Sequence, residues 1–139
     1  MTKSSPLKTS RLAPVAALVI LAALPFAVYL PSVGGEFLWD DGKMLWKSPL
    51  TLADDGIVRC WTGGEGPDYW PLTSSALWVQ YRLWGRDARG YRIVNIALHA
   101  ISGLLLWGVL TELGISGGWL AAALFAVHPV CAASVAWIA

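Results

Sequence analysis

Apolar residues run uncharged through three stretches of the chain, and nearly every charge falls between the first two. No Asp, Glu, Lys or Arg occurs between Leu12 and Gly35, between Ile93 and Thr111, or from Leu113 to Ala139. At about 1.5 Å per helical residue, residues 12–30 reach roughly 28 Å, close to the thickness of a bilayer's hydrocarbon core. The pattern predicts an all-α, multi-pass membrane protein. Its parts are a basic tail (1–11), a first transmembrane helix (12–30), a long polar loop (31–92), a second transmembrane helix (93–111) and a third apolar segment (115–139) broken at His128-Pro129. A tight turn around Glu112-Leu113-Gly114 and Gly117-Gly118 joins the last two. The first apolar run is too long for the core of a signal peptide and lacks a small-x-small cleavage site, so a retained span is expected.

Inside the loop the pattern turns helical twice. Thr51-Leu52-Ala53-Asp54-Asp55 has the form of a helix start, with Thr51 as cap and acids in the first turn, leading to Ile57, Val58 and Trp61. Glycines and a proline at 63–67 interrupt it. From Tyr69-Trp70-Pro71 a second helix is expected to run to Leu83-Trp84, with Leu72, Ala76, Val79 and Leu83 at helical spacing and Trp70, Trp78, Tyr81 and Trp84 thickening it into an aromatic band. Trp and Tyr favour the headgroup level, so these short helices are expected to be interfacial. The alternative is that the aromatics pack a small core within the loop.

Composition sharpens the class. The chain is 56% hydrophobic and 14% charged, with nine Trp, against about a quarter charged residues in soluble domains. The net charge is +1 and no basic stripe stands clear of acids, so no nucleic-acid partner is expected. Cys60 and Cys131 are too few for a disulfide framework or a metal knuckle; a single bridge between them stays open. Charge leaves orientation open too: the tail has three Lys or Arg, but the loop has seven, with Arg82, Arg86, Arg89 and Arg92 crowding the second span.

Three groups of residues could carry chemistry. Asp40-Asp41-Gly42 places paired carboxylates shortly after the first span, where one could act as a general base towards a hydroxyl. Asp-Gly is also a turn signal, and Asp54-Asp55-Gly56 repeats the tripeptide. Tyr91, Asn95, His99 and Ser102 share one face of the second span, as a ligand-site lining or, more simply, as interhelical hydrogen-bonding groups. His128, at the break made by Pro129, could hold a phosphate or cap a helix end. No metal-ligand set is predicted, and a divalent-metal requirement stays open.

Tyr69-Trp70-Pro71-Leu72-Thr73, Arg82-Leu83-Trp84-Gly85, Gly90-Tyr91-Arg92-Ile93-Val94-Asn95 with Leu98-His99-Ala100, and Phe125-Ala126-Val127-His128-Pro129-Val130 followed by Val135-Ala136-Trp137-Ile138 occur here in one order and spacing. As a set they resemble the membrane-bound, tetratricopeptide-repeat-containing glycosyltransferases akin to protein O-mannosyltransferases, within the C-type glycosyltransferase superfamily. The resemblance covers roughly residues 12–139. It implies a polyprenyl-phosphate sugar donor, with mannose the expected sugar, and a protein or other hydroxyl acceptor. It also implies a cytoplasmic N-terminus and an extracytoplasmic loop whose acidic motif is Asp40-Asp41. Arg92, Asn95, His99 and His128 would then lie on the donor side, and the expected location is a bacterial inner membrane. Ala133 stands where the family usually has a glutamate, and Cys131 where His or Gln is common. Family members run to around ten spans followed by helical repeats, so this chain is expected to be an N-terminal piece, inactive alone. A small non-catalytic membrane protein or a truncated relic is the alternative.

Overall fold

The computed structural model describes residues 12–63 and 68–138, and these form helices and turns only. The basic tail therefore lies outside the described residues. α1 (Leu12–Tyr29) leads into a 3-10 turn at Leu30–Gly34. The loop carries α2 (Asp41–Met44), α3 (Pro49–Leu52), α4 (Gly56–Thr62) and α5 (Pro71–Trp84). α6 (Ala88–Glu112) is the longest helix; α7 (Gly118–Val127), a 3-10 turn at Pro129–Cys131 and α8 (Ala132–Ala136) follow.

α1, α6 and α7 pack on one another as a three-helix bundle. The segment 13–34 and α6 are each long and apolar enough to cross a membrane, and α7 with the helical turns after it makes a third candidate, bent by 49° at the break before Pro129. The described residues therefore hold two or three candidate membrane spans, as a membrane protein requires. Small residues let the backbones approach: Ala122, Ala123 and Ala126 of α7 are buried against Leu21 of α1, with Leu104, Leu106 and Trp107 of α6 around them. In lipid such close packing and hydrogen bonds across helices hold spans together. One such bond runs from Trp119 Nε1 to the carbonyl of Ala17, at 3.0 Å. The outer faces, with Leu18, Val19 and Phe26 on α1, Leu98, Leu105 and Val109 on α6, and Leu120 and Leu124 on α7, are exposed hydrocarbon, which suits a lipid surround. Gly114 and Gly117 take left-handed conformations (φ 68° and 83°), which turn α6 into α7.

The loop has a core of its own. Leu45, Leu77, Ala88, Tyr91 and Ile138 are buried together, ringed by Phe37, Met44, Trp46, Tyr81 and Trp84. Phe37 meets Trp46 and Tyr91 edge-on at centroid distances of 5.1 and 5.8 Å, and Trp84 meets Tyr91 in the same manner. The aromatic band thus divides. Tyr81 and Trp84 turn inward, while Leu72, Val79 and Leu83 form an exposed apolar stripe on the other side of α5.

One helix start differs from the sequence expectation. Ser48, not Thr51, is the cap: its hydroxyl accepts from the Thr51 N–H. Thr51 is buried inside α3 and donates its hydroxyl to the Met44 carbonyl at 2.7 Å. Pro49 fits the first turn of α3, where its missing N–H costs little, and this draws the start upstream of Thr51. The acids at 54 and 55 fall in the turn between α3 and α4. The thiols of Cys60 and Cys131 are both free.

Candidate functional site

The acidic motif sits in a closed turn. The Leu38 N–H donates to the Asp41 carboxylate at 2.7 Å, and the Asp41 N–H donates back to the Leu38 carbonyl at 2.9 Å. Between them Trp39 is held at φ 38°, a left-handed conformation costing roughly 1–2 kcal/mol for a residue with a side chain. Backbone held in a sparsely populated region persists where its surroundings over-determine it. Here the Asp41 carboxylate is one such determinant. Its residue is 1% exposed, whereas the Asp40 side chain is 62% exposed and reaches Lys43 at 2.8 Å. The adjacent carboxylates therefore have different employment. Asp41 braces the turn, and Asp40 is offered to whatever lies outside. An exposed ion pair such as Asp40–Lys43 contributes on the order of 0–1 kcal/mol, too little to keep the carboxylate from another partner.

Asp40 borders a cavity of about 430 Å³ between the α2–α3 segment and the N-terminal half of α5. Met44, Leu50 and Leu77 supply apolar wall, and Lys47, Asp68 and Trp70 border it as well. The volume falls within the range of small-ligand sites.

The polar residues of the second span are engaged by backbone carbonyls. Tyr91 donates its hydroxyl to Gly85 (2.8 Å), Asn95 Nδ2 donates to Trp137 (2.6 Å), and Ser102 donates to Leu98 of its own helix (2.9 Å). His99 Nε2 lies 3.2 Å from the Ala126 carbonyl, with Tyr29 and Phe125 against its ring. Asn95 and His99 thus bond to other elements, Tyr91 to the turn before its helix and Ser102 within its own helix, and Asn95, His99 and Ser102 together line a hollow of about 200 Å³ with Ser134 and Val135. Asn95 still borders a shallow hollow with Ser134 and Trp137.

Arg92 is 2% exposed and makes a clasp. Its Nε donates to the Ala136 carbonyl at 3.1 Å, and its two terminal nitrogens donate to the carbonyls of Gly35 and Glu36. The segment of loop leaving α1, the first turns of α6 and the end of α8 are thereby joined at one end of the bundle. The Tyr29 hydroxyl donates to the His128 carbonyl at 3.0 Å and brings the break before Pro129 to that same end. His128 Nδ1 accepts from the Val130 N–H, which caps the turn, and Nε2 has no protein partner among the described residues. Asp40 and His128 thus belong to one side of the bundle. The structure brings Arg92, Asn95 and Trp137 together, and it places Asp40 in the loop cleft, apart from that group.

Sequence reasoning missed the cleft itself. The signal for the cleft was present in Ser48-Pro49, which starts a helix opposite Trp70-Pro71, but facing surfaces cannot be read from one strand of text. Trp39 belongs to the apolar-aromatic lead Phe37-Leu38-Trp39 before the acids, where an interfacial anchor is expected, and the residue is 92% exposed. Among the described residues no group of three or more His, Cys, Asp or Glu is arranged to hold a metal ion.

No family model matches the chain, and no solved structure matches it. The protein O-mannosyl-transferase F38B6.6 of Caenorhabditis elegans is 27% identical over 147 residues, covering 95% of this chain and 21% of the relative. Tmtc1 of Drosophila melanogaster, also named a protein O-mannosyl-transferase, is 32% identical over 135 residues, 88% of this chain and 16% of the relative. The tmtc2 protein of Xenopus laevis is 28% identical over 132 residues, 86% of this chain and 16% of the relative. The chain spans about a fifth or less of the length of these relatives. Over most of its own length, the chain is homologous to proteins named protein O-mannosyl-transferases, of the TMTC family.

Proposed function

We propose that the chain forms a loop and its flanking helices in an inverting glycosyltransferase that moves a sugar, mannose in the first instance, from a polyprenyl-phosphate donor to a hydroxyl of a protein acceptor. The observation that carries this reading is the contrast within the acidic pair. A buried Asp41 holds a strained turn, and the turn presents Asp40, exposed, at the edge of a cavity on the loop face of the bundle. In the reaction the acceptor oxygen attacks the anomeric carbon and the bond from that carbon to the phosphate oxygen breaks. Polyprenyl phosphate leaves with the bonding pair, and the hydroxyl proton passes to the Asp40 carboxylate. His128, with Nε2 directed away from its own cap, stands on the donor side together with Asn95 and the Arg92 clasp. The N-terminus lies in the cytoplasm and the loop outside it. A bacterial inner membrane, the sequence expectation, draws no support from the relatives named above, which are animal proteins.

The chain alone is expected to be inactive, because the leaving phosphate needs fixed donors in a water-excluded site, and that preorganisation is commonly the largest catalytic term. Two or three spans with outward hydrocarbon faces enclose no such site. The test is a chimera in which this chain replaces the homologous segment of Drosophila Tmtc1, assayed with polyprenyl-phosphate mannose and a serine-containing peptide. Transfer is expected, with a loss of roughly 10²-fold or more in Asp40→Asn. A chimera that inserts and transfers equally well with the Asp40→Asn substitution in place would overturn the assignment. For orientation, Cys60 is a poor reporter, being 4% exposed. Asp54→Cys, at a side chain 99% exposed, in a background without Cys60 and Cys131, should react with an impermeant maleimide before the membrane is opened.

A further inference from the structure

α5 is apolar on two opposite sides. Its inner side, with Leu77, Tyr81 and Trp84, packs into the aromatic core of the loop. Its outer side carries Leu72, Ala76, Val79 and Leu83, spaced by four, three and four residues and therefore on one face, and all four are exposed. Trp61 of α4 widens this face. Its indole Nε1 donates to Ser75 Oγ at 3.0 Å, and Ser75 neighbours Leu72 and Val79 at helical spacing. Arg82 is the only charged residue of α5, and it is occupied by Asp54 at 3.1 Å and by the Ala53 carbonyl at 2.7 Å. A helix that is apolar all round is normally buried, yet among the described residues nothing covers the outer side of α5.

The place of α5 in the fold points to its cover. Its last turn packs on the first turn of α6, where the Trp84 ring fills the space that a side chain at Gly90 would need. Gly90 lies about 5 Å along the helix axis from Ile93, where the uncharged run of α6 begins. The Leu83 end of the stripe is thus tied to the end of a membrane-crossing segment, and the helix rises about 16 Å from Leu72 to Leu83. Standing off the bilayer, α5 would carry Leu72 and Trp61 into water; lying along it, the helix gives the whole stripe to lipid. A protein partner matches the face poorly, because stable interfaces take roughly 20–30 residues a side, and this stripe is one helix wide with no charge to set a register. We propose that α5 lies along the bilayer surface, with Trp61, Leu72, Ala76, Val79 and Leu83 seated in the boundary between acyl chains and headgroups. The seat works by apolar insertion, since Arg82 already has its carboxylate, and uncharged lipid suffices. Ser74 and Leu77 of the same helix line the cavity beside Asp40, so α5 is a wall with lipid on one side and that cavity on the other. No transfer chemistry is needed for the seat, and its failure would leave the reading of Asp40 untouched.

Depth can be read position by position. Leu72→Cys, Ala76→Cys, Val79→Cys and Leu83→Cys, with Lys47→Cys across the cavity as the reference in water, are made in a chain without Cys60 and Cys131. Each is labelled with a nitroxide in phosphatidylcholine nanodiscs. Collision with oxygen, which concentrates in lipid, is compared with collision with a water-soluble nickel chelate. The oxygen-to-nickel ratio at all four stripe positions should exceed that at Lys47→Cys by roughly five-fold or more, and adding phosphatidylserine should leave it unchanged. A high ratio at Leu83→Cys that falls to the reference value at Leu72→Cys would stand the helix upright and overturn the seat. Low access to both reagents would put polypeptide over the face, and a ratio that rises with phosphatidylserine would make charge the attraction; either result sinks the proposal. p-Benzoylphenylalanine placed at Ala76 in the chain with both native cysteines gives a reading that does not depend on their removal. Irradiation should add the mass of a phosphatidylcholine, and a cross-linked dimer in its place would refute the lipid assignment.

Discussion

The same three residues, Asp-Asp-Gly, occur at 40–42 and at 54–56, and the protein uses them in opposite ways. In the first, one carboxylate is buried and braces a left-handed Trp39 while its neighbour faces outward. In the second, both side chains are exposed, at 99% for Asp54 and 70% for Asp55, and each meets an arginine, Arg82 at 3.1 Å and Arg59 at 3.6 Å. The glycines are reversed as well. A Cβ on Gly56 would stand 2.0 Å from the Leu50 carbonyl oxygen and 2.6 Å from the Trp78 ring, whereas on Gly42 its nearest neighbour would be the Trp46 ring, at 2.8 Å. In the second triplet the glycine is the packed residue and the acids are solvated; in the first, an acid is packed. A turn motif states that the chain reverses. Which of its side chains goes inside is decided by the neighbours that close over it.

The largest effect should separate the two triplets by function. In the chimera, Asp40→Asn should reduce turnover by roughly 10²-fold or more, and Asp54→Asn should leave it within about two-fold. Equal losses would return both triplets to solvated turns. The next effect is on stability, read from thermal unfolding of the detergent-solubilised chain by tryptophan fluorescence. Asp41→Ala removes a buried acceptor and orphans the Leu38 N–H, at a cost of about 3 kcal/mol, while Asp55→Ala should cost about 0.5 kcal/mol or less. Gly56→Ala should follow at about 2 kcal/mol, because a backbone oxygen cannot step aside, and Gly42→Ala at about 1 kcal/mol, because an indole can. The smallest effect carries the sharpest sign. Trp39→Gly should raise stability by about 0.5–1 kcal/mol by relieving the left-handed strain, whereas Ala53→Gly, at φ −69°, should lower it by a similar amount. Two changes of the same sign would mean that Trp39 is not strained where it stands.

The membrane-crossing segments were legible because lipid imposes one rule on every residue it touches, and long uncharged runs satisfy it locally. The short loop helices were legible in kind but not in register: Thr51 and Ser48 are both good caps by type, and only Pro49 and the reach of Thr51 to Met44 decide between them. α6 begins at Ala88, ahead of the apolar run, because Asp87 caps it through the Arg89 N–H and the aromatic core buries Tyr91. Charge at Arg89 and Arg92 hid that start. For the candidate site, Asp40 and Asp41 could be found but not told apart, since burial is a property of the surroundings. The work of Arg92 was invisible, because its partners are main-chain oxygens 44 to 57 residues away and leave no mark in the side-chain text.

That clasp has an evolutionary consequence. An arginine that grips carbonyls is indifferent to the identity of the residues owning them, so substitutions at Glu36 and Ala136 can accumulate without loosening the joint, while almost any change at Arg92 undoes it. Gly35 is the partial exception, since an added methyl would sit 3.3 Å from one guanidinium nitrogen. A lineage can therefore rewrite much of the surface around this joint and still inherit the same meeting of loop and bundle, with one codon as the part that cannot drift.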